Sequence, residues 1–283
     1  MNKNSIENLN ALNLSFNITL NWFLDDRSLN LELDGEHRPL ELANFISNTY
    51  KILNNSIEET HIKVQYKPQI FKNLNYANNH DIAYRSLVVE IYDYVNKYLT
   101  EYIANFIIHG SLATLDYSKG WSDVDTFVII KNETLYSKDK LFELRKHCLE
   151  LKNIFYKLCP LQHHGLIVFP ENSLKNYSRN FMPHQVLKSS IELVNHKYSI
   201  DINLEKVTGL DSENISTKRL IGLKSLIKNS INSGKLCHHP YKRICLENNF
   251  NNADNAMRQF FWFAGNVMTI PAYLLTSLNQ PCE

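Results

Sequence analysis

Apolar positions along the chain fall into runs of period two, runs of helical period and short unbroken blocks, and each predicts a different element. Residues 14 to 35 alternate in SFNITLNW and again in SLNLELDG, which predicts short strands joined by a polar turn at Asp25, Asp26 and Arg27. Leu42, Phe45, Ile46, Thr49, Tyr50 and Leu53 then recur at helical spacing, and residues 61 to 67 (HIKVQYK) return to period two. From 81 to 103 the period is helical again, with Leu87, Val88, Ile91, Val95, Tyr98 and Leu99 on one side. The next block changes character. FIIHG (106 to 110) is a short apolar run that ends at a glycine, and DVDTFVIIK (123 to 131) is a second run rich in β-branched residues, so both predict strands. Ser137 reads as the N-cap of a helix reaching 158, with Leu141, Leu144, Cys148, Leu151 and Phe155 inside and Pro160 ending it. HGLIVF (164 to 169) predicts a third strand, stopped by Pro170. From about Pro183 onward every periodic segment reads as helical, over 186 to 194, 216 to 231 and 253 to 278.

This order predicts an α/β (α+β) fold, a mixed β-sheet with flanking helices followed by a C-terminal α-helical domain. The expected divisions are an N-terminal β/α appendage over 1–80, the core over 81–180 and the helical domain over 181–283. With 283 residues and 44% hydrophobic content, the chain has room for more than one core. Thirty basic against 29 acidic residues leave a formal charge of +1, so no overall field draws it to nucleic acid or to an anionic membrane. Five cysteines without a CxxC pair argue against a disulfide framework and for a reducing, cytoplasmic setting. The first residues hold no uninterrupted apolar region of the signal-peptide kind. The most apolar stretch, FFWFAGNVMTIPAYLL (260 to 275), is shorter than the roughly 20 residues of a membrane span and contains Asn266 and Pro271, so a buried helix is expected.

The chemistry concentrates in HGSLATLDYSKGWSDVDTFVII (109 to 130). Side chains alternate along a strand, so Asp123 and Asp125 are expected on one face with carboxylates close enough to share divalent ions. Oxygen ligands at that spacing suit Mg²⁺, which completes its shell with water and substrate phosphate. Gly110 lets backbone approach a phosphate, and Ser111 offers a hydroxyl and an N–H where a helical turn begins.

These residues resemble the signature of the polymerase-β-like nucleotidyltransferase superfamily, a Gly-Ser followed after a spacer by Asp-hydrophobic-Asp, and GSLA with SDVD is similar to its small bacterial branch. The resemblance runs from the helix before FIIHG to the HGLIVF strand. It implies transfer of a nucleoside monophosphate from a nucleoside triphosphate such as ATP to a hydroxyl, with release of pyrophosphate. Gly110, Ser111 and Ser122 would contact the triphosphate, and Asp123 and Asp125 would be the catalytic metal ligands for Mg²⁺, with Mn²⁺ as the alternative. The superfamily's second domain often presents a lysine to the triphosphate, which makes Lys224 and Lys228 candidates, against the reading of a hydrated helix face.

Two departures stand out. Where small-molecule members often carry an Arg and then a Gly after GSxA, this chain has Thr114 and Leu115. The third core strand, where the superfamily places a further carboxylate, reads Gln162-His163-His164-Gly165-Leu166, with no Asp or Glu before Glu171. His164, and after it His163, are the catalytic candidates for that place, with Glu171 as an alternative; an imidazole can serve as a base near neutral pH but binds Mg²⁺ poorly and favours Mn²⁺. The near-zero net charge favours a small-molecule acceptor. Nucleotidylation of an RNA end or a protein is the second reading, and a catalytically impaired nucleotide-binding module the third.

Overall fold

The computed structural model describes residues 38–53, 61–71, 82–118, 122–158, 166–177, 184–194, 199–205 and 209–233, with Phe260, Ala264, Val267 and Met268 as isolated helical positions. The chain divides into two compact units, Met1–Leu204 and Glu205–Glu283. The strands expected over 14 to 35, and the helix expected over 253 to 278 apart from those four positions, lie outside the described residues.

In the first unit the order is α1 (Arg38–Leu53), β1 (His61–Tyr66), β2 (Gln69–Ile70), α2 (Ile82–Tyr98), β3 (Ile103–His109), α3 (Ser111–Thr114), β4 (Asp125–Ile130), α4 (Asn132–Leu135), α5 (Lys138–Leu158), β5 (Ile167–Pro170), β6 (Ile191–Glu192) and β7 (Ile200–Glu205). Five strands form one mixed sheet in the order β2-β6-β3-β4-β5, and β1 pairs with β7 in a second, two-stranded sheet. β3 runs antiparallel to both β4 and β6, while β5 runs parallel to β4.

The sheet is buried on both faces, which is why its central strands read as unbroken apolar runs. One face presents Phe106, Ile108, Val128, Ile130 and Val168 to three helical stripes: Ala43, Ile46 and Tyr50 of α1, Leu87, Val88, Ile91 and Val95 of α2, and Leu141, Leu144, Cys148, Leu151 and Phe155 of α5. The other presents Ile107, Phe127, Ile129 and Phe169 to Leu174, Tyr177 and Leu187 and to Ile200 and Ile202 of β7. Ser137 caps α5 as its sequence predicts: its Oγ accepts from the Lys140 N–H at 3.4 Å and its carbonyl from the Leu141 N–H at 2.9 Å.

Three expectations need correction. The helix expected over 81 to 103 stops at Tyr98, and Ile103 already belongs to β3, which therefore begins earlier than FIIHG suggested. The segment 186 to 194 is not a helix but a 3₁₀ turn (His184–Leu187) followed by β6. Its short apolar run satisfies either period, and hydrogen bonds decide for the strand: Gln69 N–H donates to Ser190 O and Leu193 N–H to Phe106 O, each at 2.9 Å. A further strand, β7, follows before helices take over. In the second unit α6 (Gly209–Ser233) carries the helix expected over 216 to 231. Among the described residues no helix is long and apolar enough to cross a membrane.

Candidate active site

β3 delivers its last residue, His109, opposite Asp125, the first residue of β4. Between them the backbone turns at Gly110, whose φ of 67° and ψ of −156° lie where an L side chain is strained. A second constraint acts at the same atom. A Cβ added to Gly110 would overlap the Asp125 carboxylate oxygen Oδ2 and come within 3.3 Å of its Cγ, so only glycine lets this turn lie against that carboxylate. Ser111 then opens the single turn of α3, in which the Ala113 and Thr114 N–H groups donate to Gly110 O at 3.0 and 3.1 Å. The hydrogen bonds of the turn leave Ser111 and Leu112 as its leading N–H groups.

The return to β4 is held by short-range bonds. Thr114 Oγ1 donates to Gly110 O at 3.2 Å and also pairs with Asp116, while Asp116 N–H donates to Ser111 O at 3.1 Å. Leu115 ends the turn at φ 64°, ψ 23°, in the left-handed region, with half its surface exposed. Leu115 thus carries the strain of a non-glycine residue in that region. Ser122 closes the loop: its Oγ accepts from Ser118 N–H and its own N–H donates to Ser118 O, both at 2.8 Å.

Val124 is fully buried among the helix-side residues, whereas Phe127 and Ile129 face the β7 side. Alternation along the chain therefore directs Asp123 and Asp125 away from Val124 and onto the β7 side. The strand itself begins at Asp125, so Asp123 lies in the lead-in rather than on β4 as the sequence suggested. Burial pushes the Asp125 carboxyl well above the usual carboxylate range, and the neighbouring Asp123 charge raises it further. A buried carboxylate with a second aspartate beside it, next to a turn whose glycine is required by contact with the first, forms a donor set that fits a hard divalent cation. Among the described residues, no group of three His, Cys, Asp or Glu side chains is arranged to hold a metal.

Of the other candidates, Lys224 and Lys228 are both exposed on α6 of the second unit. His163 and His164 lie outside the described residues. β5 starts at Ile167 opposite Phe127 and parallel to β4, so the chain enters it from the Asp125 end of the sheet. Glu171, the alternative, follows Pro170 at the far end of that strand, where its Oε2 accepts from Asn132 N–H at 3.3 Å, which removes it from the Asp125 end. Sequence reasoning passed over two buried polar residues near the pair, His109 and Glu192. The available signals were a histidine just before the motif glycine and one acid inside the apolar run SSIELV.

No curated protein and no solved structure matches the chain. A family model, described as a nucleotidyltransferase domain, matches residues 90–203. That span opens inside α2, contains the whole Gly110–Asp125 region and closes inside β7, so it coincides with the elements that build the site. Residues 90–203 thus match the nucleotidyltransferase domain of the polymerase-β-like superfamily, and the chain carries the domain of a nucleotidyl-transferring enzyme.

Proposed function

We propose that this enzyme transfers a nucleoside monophosphate from a nucleoside triphosphate to a hydroxyl of a small-molecule acceptor, and that Asp123 and Asp125 hold the divalent metal the reaction uses. The observation that carries the reading is the contact between Gly110 and the Asp125 carboxylate, which brings a turn with leading N–H groups to the paired aspartates. Triphosphate oxygens would meet Ser111 at that turn, with the carboxylates on the flank of the reacting phosphorus. Asp123 and Asp125 would hold Mg²⁺ or Mn²⁺, which would supply positive charge to the phosphoryl oxygens and to the attacking and leaving oxygens. The acceptor hydroxyl attacks the α-phosphorus, the new P–O bond forms as the bond to the β-phosphate oxygen breaks, and pyrophosphate leaves. His164 or His163 is the proposed group that takes the hydroxyl proton; both precede the strand that enters the sheet from the Asp125 end. Ser122 supports this arrangement by closing the loop ahead of Asp123.

The near-neutral charge of the chain favours a small acceptor over a polyanion. The reading is tested by incubating the protein with each α-labelled triphosphate, Mg²⁺ or Mn²⁺ and a fractionated cell extract. Label should enter a low-mass product made by the small-molecule fraction. Label confined to RNA or protein would replace the acceptor class, and triphosphate binding with no label transfer to any fraction would contradict the reaction.

A further inference from the structure

On the sheet face that carries Asp125, two more buried polar residues stand in neighbouring strands. Antiparallel pairing sets Glu192 of β6 opposite Ile107 and His109 of β3 opposite Asp125 of β4. Directly opposed residues project to one face, and Ile107 and Phe127 both belong to the β7-side cluster, so Glu192, His109 and Asp125 share that face. Glu192 keeps 1% of its surface exposed and His109 keeps 5%. An acid so far from water needs a polar neighbour.

Distance decides how Glu192 could serve the site. Two strand spacings of about 4.8 Å and a two-residue offset of about 6.8 Å place its Cα roughly 12 Å from that of Asp125. That is too far for both carboxylates to close on one ion with bonds of about 2.1 Å. His109 fills the interval, opposite Asp125 and one rung diagonally from Glu192, within reach of long side chains. The diagonal neighbour on the other side, Asn105, holds its amide oxygen on Phe106 N–H at 2.7 Å, and its buried amide nitrogen makes no hydrogen bond among the described residues.

We propose that Glu192 and His109 are positioning residues for the metal site: Glu192 orients the His109 ring, and the ring steadies the Asp125 carboxylate in the direction that holds the cation. This rests on the reading of Asp125 as a metal ligand. Outer partners of this kind tune affinity by fixing the ligand's orientation, and their loss weakens metal binding about 10- to 100-fold.

The test uses the full chain and Mn²⁺ alone, with the free-ion electron paramagnetic resonance signal as readout. Glu192→Gln, which keeps size and removes charge, and His109→Gln should each weaken Mn²⁺ binding by about tenfold or more, and Glu192→Asp should recover part of the loss. Melting curves without metal run alongside. A merely structural role would lower the melting temperature but leave the folded variants with wild-type Mn²⁺ affinity, and that result overturns the proposal. If Glu192→Gln does not fold, His109→Gln and His109→Asn carry the same comparison. Wild-type protein binding Mn²⁺ no better than Asp123→Asn/Asp125→Asn would remove the metal-site reading, and this inference with it. Wild-type-strength binding in Glu192→Gln and His109→Gln, but not in the aspartate variant, removes this inference alone.

Discussion

At the scale of single residues the site works against the fold that holds it. Asp125 has a folded-state pKa above its ordinary value because burial and the Asp123 charge both disfavour ionisation. The folded chain therefore binds that proton more tightly than the unfolded chain. The associated stability is present in full below the ordinary carboxylate value of about 3.9 and is lost as pH rises through the raised folded value. At neutral pH without metal, Asp125→Asn should consequently melt at the same temperature as wild type or higher, and its stability should fall less between acid and neutral pH. A lower melting temperature at neutral pH would show that the charge is already compensated within the protein. Leu115 carries strain of a different origin. Its left-handed backbone costs roughly 1–2 kcal/mol, partly offset by the extra freedom a glycine has in the unfolded chain, so Leu115→Gly should stabilise by about 0.5–1 kcal/mol. Leu115→Ala keeps a Cβ and should gain nothing; equal denaturation midpoints for the two variants would count against strain at this position. Gly110→Ala meets both the wrong φ and the Asp125 carboxylate, and should cost at least about 1–3 kcal/mol in the same denaturation experiment.

At the scale of elements, what the sequence shows and what it hides have separate causes. Period alone finds α1, β1, α5 and α6, because each repeats its apolar positions over many residues. It places Ser137 as a cap, and Ser137→Ala should destabilise by about 0.5–2 kcal/mol, towards the low end given the 3.4 Å bond; an unchanged denaturation midpoint would mean that water replaces this cap without loss. The Gly-Ser and Asp-Val-Asp spacing also anticipates that these two segments meet, since the β3–β4 pairing brings Gly110 against Asp125. β6 was not legible. Two residues between a 3₁₀ turn and a bend carry too short a pattern, and they form a strand because β2 and β3 on either side supply its hydrogen bonds. The same tertiary pairing hides His109 and Glu192 as neighbours: 83 positions separate them along the chain, and only the β3–β6 register brings them one rung apart.

At the scale of the molecule, the first unit forms the sheet and its helical cover, and the paired aspartates stand at the end of that sheet where β4 begins. The helix-side core includes Cys148, whose thiol burial pushes up to about 12, so it should resist alkylation by a thiol reagent in the native state. The proposed reaction turns on the aspartate pair holding metal for a triphosphate. The most direct measurement is calorimetric titration of the triphosphate that supports transfer into wild-type and Asp123→Asn/Asp125→Asn protein, with and without Mg²⁺. Wild type should bind far more tightly with the metal than without it, and the double variant, still folded, should lose that difference. Triphosphate binding by the double variant with the same dependence on Mg²⁺ as wild type would contradict the assignment of these residues as the metal site.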